Sequence, residues 1–255
     1  MPKVSVVIPC YNHGELLKET LDSLTVQTFS DFEVIIVNDG STDTATVDVL
    51  QSLNSPQIKV IHTVNKGVSA ARNRGISEAV GEYILPLDAD DKIGSAYIEM
   101  AVNVLENSPE VTAVYFDRIL FGDIEGLAPL PVYDPVALLT ENCIYAALFR
   151  KADWQSVGGF SEKMVYGWED WDFWISLSAL CKQFVKISEP LFFYRIRSNS
   201  RDHSLQLSQK IAMMCLIVLR HKYLYLRNIN SLVLSVLTIF SRKMNRTETS
   251  SVGKS

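Results

Sequence analysis

Five short runs within the first 117 residues are apolar almost throughout and rich in β-branched side chains. These runs are VSVVIP (4–9), FEVIIVND (32–39), IKVIHT (58–63), YILPLD (83–88) and TAVYFD (112–117). Continuous apolar runs are typical of strands buried on both faces, as in a parallel sheet, whereas half-exposed strands alternate polar and apolar residues. The pattern therefore predicts a central sheet covered on both sides.

Helix-like segments separate these runs, at about residues 15–28, 42–53, 68–80 and 95–107. The second follows NDGSTD, where Ser41 or Thr42 can accept a hydrogen bond from a free amide of the first turn. Strands and helices in alternation predict an α/β, Rossmann-like fold with a mostly parallel central sheet and helices on both faces.

The pattern is less regular after residue 117. A helix-like stretch lies near 135–140, a helix starts at about Glu169, and QFVKISEPLFFYRIR (183–197) is a further strand candidate. Residues 205–240 read as two apolar helices with basic residues between them. We expect a main domain at 1–203, a basic helical extension at 204–247 and a loose tail at 248–255.

Charge is distributed unevenly along the chain. The net charge is −5, but residues 204–247 contain seven basic residues and no acidic one, which leaves 17 basic against 29 acidic residues elsewhere. An acidic body is a poor nucleic-acid binder, whereas a basic end favours a negatively charged neighbour. Residues 205–246 are therefore either a helical pair with a basic outer face or a segment that lies on an anionic membrane surface.

Cysteine spacing and hydropathy predict a cytoplasmic protein, peripheral on the inner face of the cell membrane if the extension binds lipid. The four cysteines form no CxxC pair, and the chain enters a strand by Val4 without a signal-peptide pattern. The longest uncharged run in the C-terminal segment, Asn228 to Ser241, has 14 residues, where about 20 are needed to span a bilayer.

Three of the predicted strands end in polar sequence: PCYN, NDGS and LDADD. Ligands of open α/β sheets bind outside the carboxyl ends of the strands, so we expect these ends to form one pocket. Asp88, Asp90 and Asp91 are crowded at the fourth end, and carboxylates there suit a hard cation such as Mg²⁺ or Mn²⁺ that bridges to phosphates. The alternative is a helix cap followed by solvated turn residues.

Six motifs in order carry a resemblance to a known family. VSVVIPCYN, IVNDGSTD, NKGVSAARNRGI, LPLDADD, GGFSE and GWEDWDFW, from Val4 to about Trp174, are similar to those of the inverting glycosyltransferases of the GT-A fold in family 2. The resemblance implies a GT-A fold with a C-terminal helical extension. It also implies transfer of a sugar from a nucleotide diphosphate donor, expected to be a UDP-sugar, to an acceptor hydroxyl.

The same resemblance assigns roles to individual residues. It divides the main domain into a nucleotide-sugar-binding half at about 1–117 and an acceptor half at 118–203. Tyr11 is expected against the nucleobase, Asp39 at the base edge, Arg72 facing the base and diphosphate, and Asp170 as the catalytic base with Glu169 beside it. The other donor-binding residues are Pro9, Lys66, Asp88, Ala89 and Asp90.

The metal ligands implied by the resemblance are Asp90, directly, and Asp88. Many relatives place a histidine near the metal after the late strand, where this sequence has Arg197. That departure leaves the third ligand open, with His203 as a candidate. His13, His62 and His221 show no metal spacing and read as surface or packing residues.

The chemistry of the reaction supports these assignments. A nucleotide diphosphate leaves readily only when its growing charge is neutralised, by a Mn²⁺ or Mg²⁺ ion with help from Arg72 and Lys66. The opposite face of the sugar needs a carboxylate that takes the proton of the incoming hydroxyl. Asp170 and Asp172 are two positions apart on a helix, so only one of them should reach the pocket.

The tryptophans of GWEDWDFW admit two readings. Trp168, Trp171 and Trp174, three residues apart, are most often one packed helix face. The other reading is that Trp168 or Trp171 also contacts a sugar ring of the acceptor.

The predicted function is a metal-dependent inverting glycosyltransferase of bacterial surface polysaccharide or glycolipid synthesis, acting on a carbohydrate or lipid-linked acceptor. One alternative is a nucleotide-sugar-binding protein without turnover, which would be expected to lack Asp90 or Asp170. Another is a nucleotidyltransferase, which needs a glycine- and arginine-rich phosphate loop that PCYNHGELL does not provide.

Overall fold

The structure, a computed structural model, describes residues 1–198 and 205–234. Their strands are β1 (Val4–Cys10), β2 (Phe32–Asp39), β3 (Ile58–Thr63), β4 (Tyr83–Pro86), β5 (Lys92–Ile93), β6 (Val111–Gly122), β7 (Gly126–Ala128), β8 (Leu148–Arg150) and β9 (Gln183–Ile196). The α-helices are α1 (Gly14–Thr25), α2 (Thr44–Ser52), α3 (Val68–Glu78), α4 (Tyr97–Asn107), α5 (Lys151–Val157), α6 (Glu169–Ser178), α7 (Leu207–Arg220) and α8 (Lys222–Arg227). A 3₁₀ turn covers Ala137–Leu139.

The strands form one sheet in the order β3-β2-β1-β4-β8-β6-β9-β5, with β7 paired to β6. The first four are parallel, and Val4 of β1 lies opposite both Phe32 of β2 and Tyr83 of β4. All seven residues of β1 are buried. The apolar runs of β1, β2 and β4 therefore form buried parallel strands, as the sequence predicts. The expectation that IKVIHT is buried on both faces is wrong, because β3 lies at the edge of the sheet and none of its six residues is buried.

The second half of the sheet is mixed. The three-residue strand β8 lies between β4 and β6 and is antiparallel to both, while β9 runs parallel to β6 and antiparallel to β5. Three residues carry too little pattern to mark a strand in the sequence. The α/β fold class is confirmed, with parallel pairing concentrated in the first half of the chain.

Each face of the sheet packs against its own helices. Successive side chains of a strand point to opposite faces, so Val7 joins a core with Ile76 of α3 and Trp174 of α6. Ile8 joins the other core with Leu17 of α1. The sheet is therefore covered on both sides.

Two local contacts fix the helices that flank the strand ends. Gly75 of α3 lies so close to β1 that a Cβ there would be 2.4 Å from a Val7 methyl carbon, which lets this helix pack tightly on the sheet. Helix α2 is capped by Asp43, whose Oδ1 accepts from the Thr46 amide at 2.7 Å. The expectation that Ser41 or Thr42 supplies this cap is wrong, because the helix begins two residues later than 42.

The C-terminal helices pack on the main domain through α7. Met213 and Ile217 of this helix are buried in the core that contains α6. Within the described residues, no helix is long and apolar enough to cross a membrane. His203, the basic residues Arg242, Lys243 and Arg246, and the tail at 248–255 lie outside the part of the chain that the structure describes.

Candidate functional site

A cavity of about 810 Å³ opens at the carboxyl ends of β1, β2 and β4. It is here called the donor cavity because most of the residues expected from the sequence to bind the donor line it. The three polar strand ends therefore meet in one pocket, as expected. Its walls are formed by Pro9, Cys10, Tyr11, Asn12, His13, Asp39, Asn65, Gly67, Val68, Ala71, Arg72, Asp88, Ala89, Asp90, Asp91, Glu169, Tyr194, Arg195 and Arg197.

A second cavity of about 460 Å³, the acceptor-side cavity, lies next to it. It is walled by residues of 140–145, the start of α6 and, from the C-terminal segment, Leu205 and Met214. Five residues line both cavities: Arg72, Asp88, Asp91, Glu169 and Tyr194. The two cavities are therefore adjacent, with these five residues forming the wall that they share.

Arg72 of α3 is the central cation of the shared wall. Its Nη2 lies 2.6 Å from Asp88 Oδ1 and its Nη1 lies 2.8 Å from Glu169 Oε1. Burial lowers the pKa of the guanidinium, but the two carboxylates outweigh it and hold the pKa above its usual value. Arg72 thus joins the end of β4 to the start of α6 and stays charged.

Asp170 is a carboxylate of α6 that lines the acceptor-side cavity together with Glu169. Its Oδ2 accepts from Asn142 Nδ2 at 2.9 Å, and its Oδ1 accepts from the Trp171 amide at 2.8 Å. Burial, and then the charge of Glu169, raise the pKa of Asp170 to about 7. Asp172, two residues later, is fully buried, so one of the two reaches the pocket, as expected.

The turn after β4 places two further carboxylates at the donor cavity. Burial raises the pKa of Asp90, and the charge of Asp88 raises it further, while Arg197 lowers it. Burial and the charges of Asp90 and Asp88 raise the pKa of Asp91 well above its usual value. The charged forms of Asp90 and Asp91 are therefore disfavoured chiefly because the two carboxylates are buried.

Arg197, just after β9, is the cation nearest to Asp90. Its Nη2 lies 2.7 Å from Asp90 Oδ2 and 3.2 Å from His13 Nε2. Among the described residues no group of three or more His, Cys, Asp or Glu side chains is arranged to hold a metal ion. His203, considered as a third ligand from the sequence, lies outside the described residues.

The remaining predicted donor residues fall in two places. Pro9, Tyr11 and Ala89 line the donor cavity, with Tyr11 44% exposed. Asp39 lines it too, but its carboxylate also accepts from the amides of Lys66 and Gly67 at 2.9 and 2.8 Å. Lys66 itself lines a separate cavity on the other side of Asp39.

Trp168 and Trp171 line the acceptor-side cavity in different ways. Trp168 precedes α6 in a left-handed conformation, with φ of 62°, and is partly exposed. Trp171 is 4% exposed, and its Nε1 donates to the Leu138 carbonyl at 2.6 Å. Trp174 is buried in the core, so the packing reading holds for Trp171 and Trp174.

Sequence reasoning did not single out several residues of the two cavities. The backbone amide of Asn12 donates to Ser41 Oγ, and its side-chain Oδ1 accepts from the backbone amide of Thr42. These bonds tie the end of β1 to the end of β2. The others are Asn142, Tyr194 and Arg195, which reach the site through long-range packing. His13, interpreted from the sequence as a surface or packing residue, follows Asn12 at the same strand end and also lines the donor cavity.

Comparison with solved structures identifies the fold. The chain superimposes on S. aureus TarS 1–349 in complex with UDP-GlcNAc with a TM-score of 0.71, at 22% identity, over 85% of this chain and 66% of that one. The mannosyltransferase PcManGT from Pyrobaculum calidifontis, in complex with GDP-Man and Mn²⁺, matches with a TM-score of 0.62, at 18% identity, over 95% and 75%. The fold is the GT-A fold.

Comparison of sequences adds the family. The model of glycosyl transferase family 2 matches residues 5–131, and the chain therefore carries a domain of this family. The uncharacterized glycosyltransferase YibD of Escherichia coli K12 is 40% identical over 43% of this chain and 32% of its own length. Pasteurella multocida chondroitin synthase is 31% identical over 71% of this chain and 19% of its own length. The chain spans about a third or less of these curated relatives.

Proposed function

We propose that this protein transfers a sugar from a nucleotide diphosphate donor to an acceptor hydroxyl with inversion at the anomeric carbon. The observation that carries the proposal is the contact of two cavities of about 810 and 460 Å³ across a shared wall of charged residues. Transfer between two bound substrates needs this arrangement, because the reacting atoms must be held within a few ångströms of each other.

The larger cavity is the proposed donor site. Tyr11 presents an exposed ring at its rim, which suits stacking against a nucleobase, and Pro9 and Ala89 provide apolar walls beside it. Asp39, in the floor, is assigned to the base edge. TarS and PcManGT were solved with UDP-GlcNAc and GDP-Man respectively, and a UDP-sugar is our first choice here.

The carboxylates after β4 fit a divalent cation. Asp88 and Asp90 provide oxygen ligands on one short turn, and both line the donor cavity. Mn²⁺ or Mg²⁺ is commonly held by one or two carboxylates together with substrate phosphates. When bound by Asp90 and Asp88, such an ion would neutralise charge on the departing diphosphate.

Arg72 and Glu169 position the reacting groups from the protein side. The guanidinium of Arg72 lies in both cavities and is fixed by Asp88 and Glu169, so it can face the diphosphate without rearrangement. Glu169, which is 3% exposed, acts in this proposal as the anchor of Arg72. Its charge also helps to hold the pKa of Asp170 near neutrality.

Asp170 is the proposed general base. A base works best when its pKa lies near the operating pH, and the pKa of Asp170 is raised to about 7. It lies on the acceptor side of the shared wall, where the incoming hydroxyl would be deprotonated as it attacks the sugar face opposite the diphosphate. Trp168, partly exposed in the same cavity, is assigned to an acceptor sugar ring, with Trp171 behind it.

The decisive experiment compares the wild-type protein with Asp170→Asn on a panel of nucleotide sugars and hydroxyl acceptors in the presence of Mn²⁺. Loss of the base should lower the transfer rate by about 10² to 10⁴-fold, while the affinity for the nucleotide diphosphate changes little. Equal transfer rates for the two proteins would rule out the base assignment. Donor binding by the wild type without any transfer would instead support a binding protein without turnover.

The C-terminal helices suggest where the enzyme works. On α7, Leu207, Ile211 and Val218 are exposed on one side, while Met213 and Ile217 are buried on the other. The exposed residues recur at helical spacing, and Lys210, Lys222 and Arg227 are interspersed among or follow them. We assign this face to an anionic membrane surface, with acceptors of surface polysaccharide or glycolipid synthesis.

Vesicle sedimentation tests the membrane assignment. The protein should sediment with vesicles that contain anionic lipid and be released by salt, because each nearby Lys or Arg contributes about 1 kcal/mol. Ile211→Gln with Val218→Gln should weaken sedimentation, whereas Ile124→Gln, which changes an exposed residue of the main domain, should not. Failure of the wild type to sediment at low salt would refute the assignment, and concentration-dependent self-association would identify a second copy as the occupant.

A further inference from the structure

The donor cavity contains a guanidinium to which the predictions for the metal site gave no role. Arg197 follows the last residue of β9, and its side chain, 30% exposed, lies against Asp90, which is 17% exposed. Among the described residues, the hydrogen bonds of this side chain are all made by Nη2. A guanidinium has five N–H donors in a planar fork, so Arg197 has donors left for a ligand in the cavity.

Backbone contacts fix the segment that carries Arg197. The Arg195 amide donates to Asp91 Oδ1 at 2.9 Å, and Arg195 Nε donates to the Asp90 carbonyl at 2.8 Å. On the other side, the Ser198 amide donates to Asp123 Oδ2 at 2.6 Å. The chain before Arg197 is therefore held against the turn after β4, and the chain after it is held by Asp123, which follows β6. The position of the arginine is set by the fold.

The neighbouring cations are more fully engaged than Arg197. Arg72 is 7% exposed and pairs with two carboxylates, Asp88 and Glu169. Arg195 is 12% exposed and pairs with Glu19. Arg197 uses a single nitrogen, Nη2, for its contacts with Asp90 and His13. Arg197 is therefore the accessible positive group next to Asp90.

We propose that Arg197 binds the diphosphate of the donor directly, so that donor binding is partly independent of a divalent metal ion. The inference rests on the proposed function, because it takes the larger cavity as the donor site. Arginine matches phosphate groups with two parallel hydrogen bonds. A neutral histidine at this position could serve only as a metal ligand or as a single hydrogen-bond donor. Arginine instead brings a positive charge of its own, which can neutralise part of the negative charge on the departing diphosphate.

Calorimetric titration with UDP, and with GDP if UDP does not bind, measures this directly. The titrations are run once with Mn²⁺ and once with EDTA, on the wild type, Arg197→Ala, Arg197→His and the control Arg74→Ala, which removes an exposed arginine outside the donor cavity. The wild type should bind in EDTA, and Arg197→Ala should lose about tenfold or more of that affinity. Arg197→His should bind with Mn²⁺ and lose binding in EDTA, whereas Arg74→Ala should match the wild type.

Uridine, which lacks the diphosphate, separates a direct contact from a structural role. Arg197→Ala should bind uridine as the wild type does, by ligand-observed NMR, since the base pocket is untouched. Equal loss of uridine and UDP binding would mean that Arg197 only supports the fold, and would overturn the proposal. EDTA-resistant binding that Arg197→Ala retains, or wild-type binding only with Mn²⁺, would also overturn it. Absence of nucleotide diphosphate binding under both conditions would instead contradict the proposed function.

Discussion

Helix α6 contributes carboxylates to two groups of charged residues, each of which contains an arginine. The two groups differ in their surroundings. At its start, Glu169 and Asp170 face the cavities, where Arg72 is shared between Glu169 and Asp88. Two residues later, Asp172 points to the other side, and its Oδ1 accepts from Arg220 Nε and His221 Nε2, both at 2.9 Å.

The two groups differ in how their charges are compensated. On the cavity side, three carboxylates surround one guanidinium, and the pKa of Asp170 is raised to about 7. On the far side, one fully buried carboxylate meets the guanidinium of Arg220 and the imidazole of His221. A carboxylate with a strongly raised pKa next to a cavity is typical of a reactive site, whereas a buried ion pair away from any cavity is typical of a structural junction.

The largest effect is expected from Arg72→Met, which removes the central cation of the cavity group. Because two carboxylates then face each other without it, the free energy of unfolding should fall by about 3–5 kcal/mol. Urea unfolding measures this change. The matched control is Arg74→Ala, which breaks an exposed pair with Glu78 and should cost at most about 1 kcal/mol. Similar losses of unfolding free energy for both variants would show that Arg72 does not hold this wall together.

A smaller loss of stability is expected from Asp172→Asn. Arg220 is partly exposed and can turn to solvent, so we expect a decrease of about 1.5–3 kcal/mol, the range for hydrogen bonds to charged groups. Transfer by the folded fraction should be unchanged, in contrast to Asp170→Asn. A loss of transfer as large as that of Asp170→Asn, measured well below the unfolding transition, would contradict the division into a reactive and a structural group.

The pH dependence of the transfer rate should follow the deprotonation of Asp170. A base acts in its deprotonated form, so below its pKa of about 7 the value of kcat/KM should rise by about tenfold per pH unit and then level off. Initial rates across this range, at fixed ionic strength, give the profile. A profile that is flat from acid to neutral pH would mean that another group takes the proton.

The smallest effect is expected from Trp168→Ala on the acceptor side. Loss of an exposed ring contact, worth about 0.5–1.5 kcal/mol, should raise KM for the acceptor several-fold and leave the donor affinity unchanged. Trp171→Ala is the contrasting variant, because truncation of a buried tryptophan should cost about 3–5 kcal/mol of stability. An unchanged acceptor KM for Trp168→Ala would remove this residue from the acceptor site.

Much of the donor half could be predicted from the sequence, because apolar continuity and strand order place the ends of β1, β2 and β4 together. The pairing of Arg72 with Glu169, 97 residues away, could not. The same holds for Arg197 on Asp90 and for Asp172 with Arg220, since such contacts depend on how the late strand and the C-terminal helices pack. Lys66 is a further example: the sequence predicts it at the donor site, whereas in the structure it lines a separate cavity.

The presence of Leu205 and Met214 in the wall of the acceptor-side cavity has a consequence for the access of water to the site. A chain shortened before residue 205 would keep every residue of the donor cavity but leave the acceptor side open to solvent. In the proposed transfer reaction, water would then take the place of the acceptor hydroxyl and hydrolyse the donor sugar. The role of the C-terminal helices would therefore be to exclude water from the donor sugar, in addition to any contact that they make with a membrane.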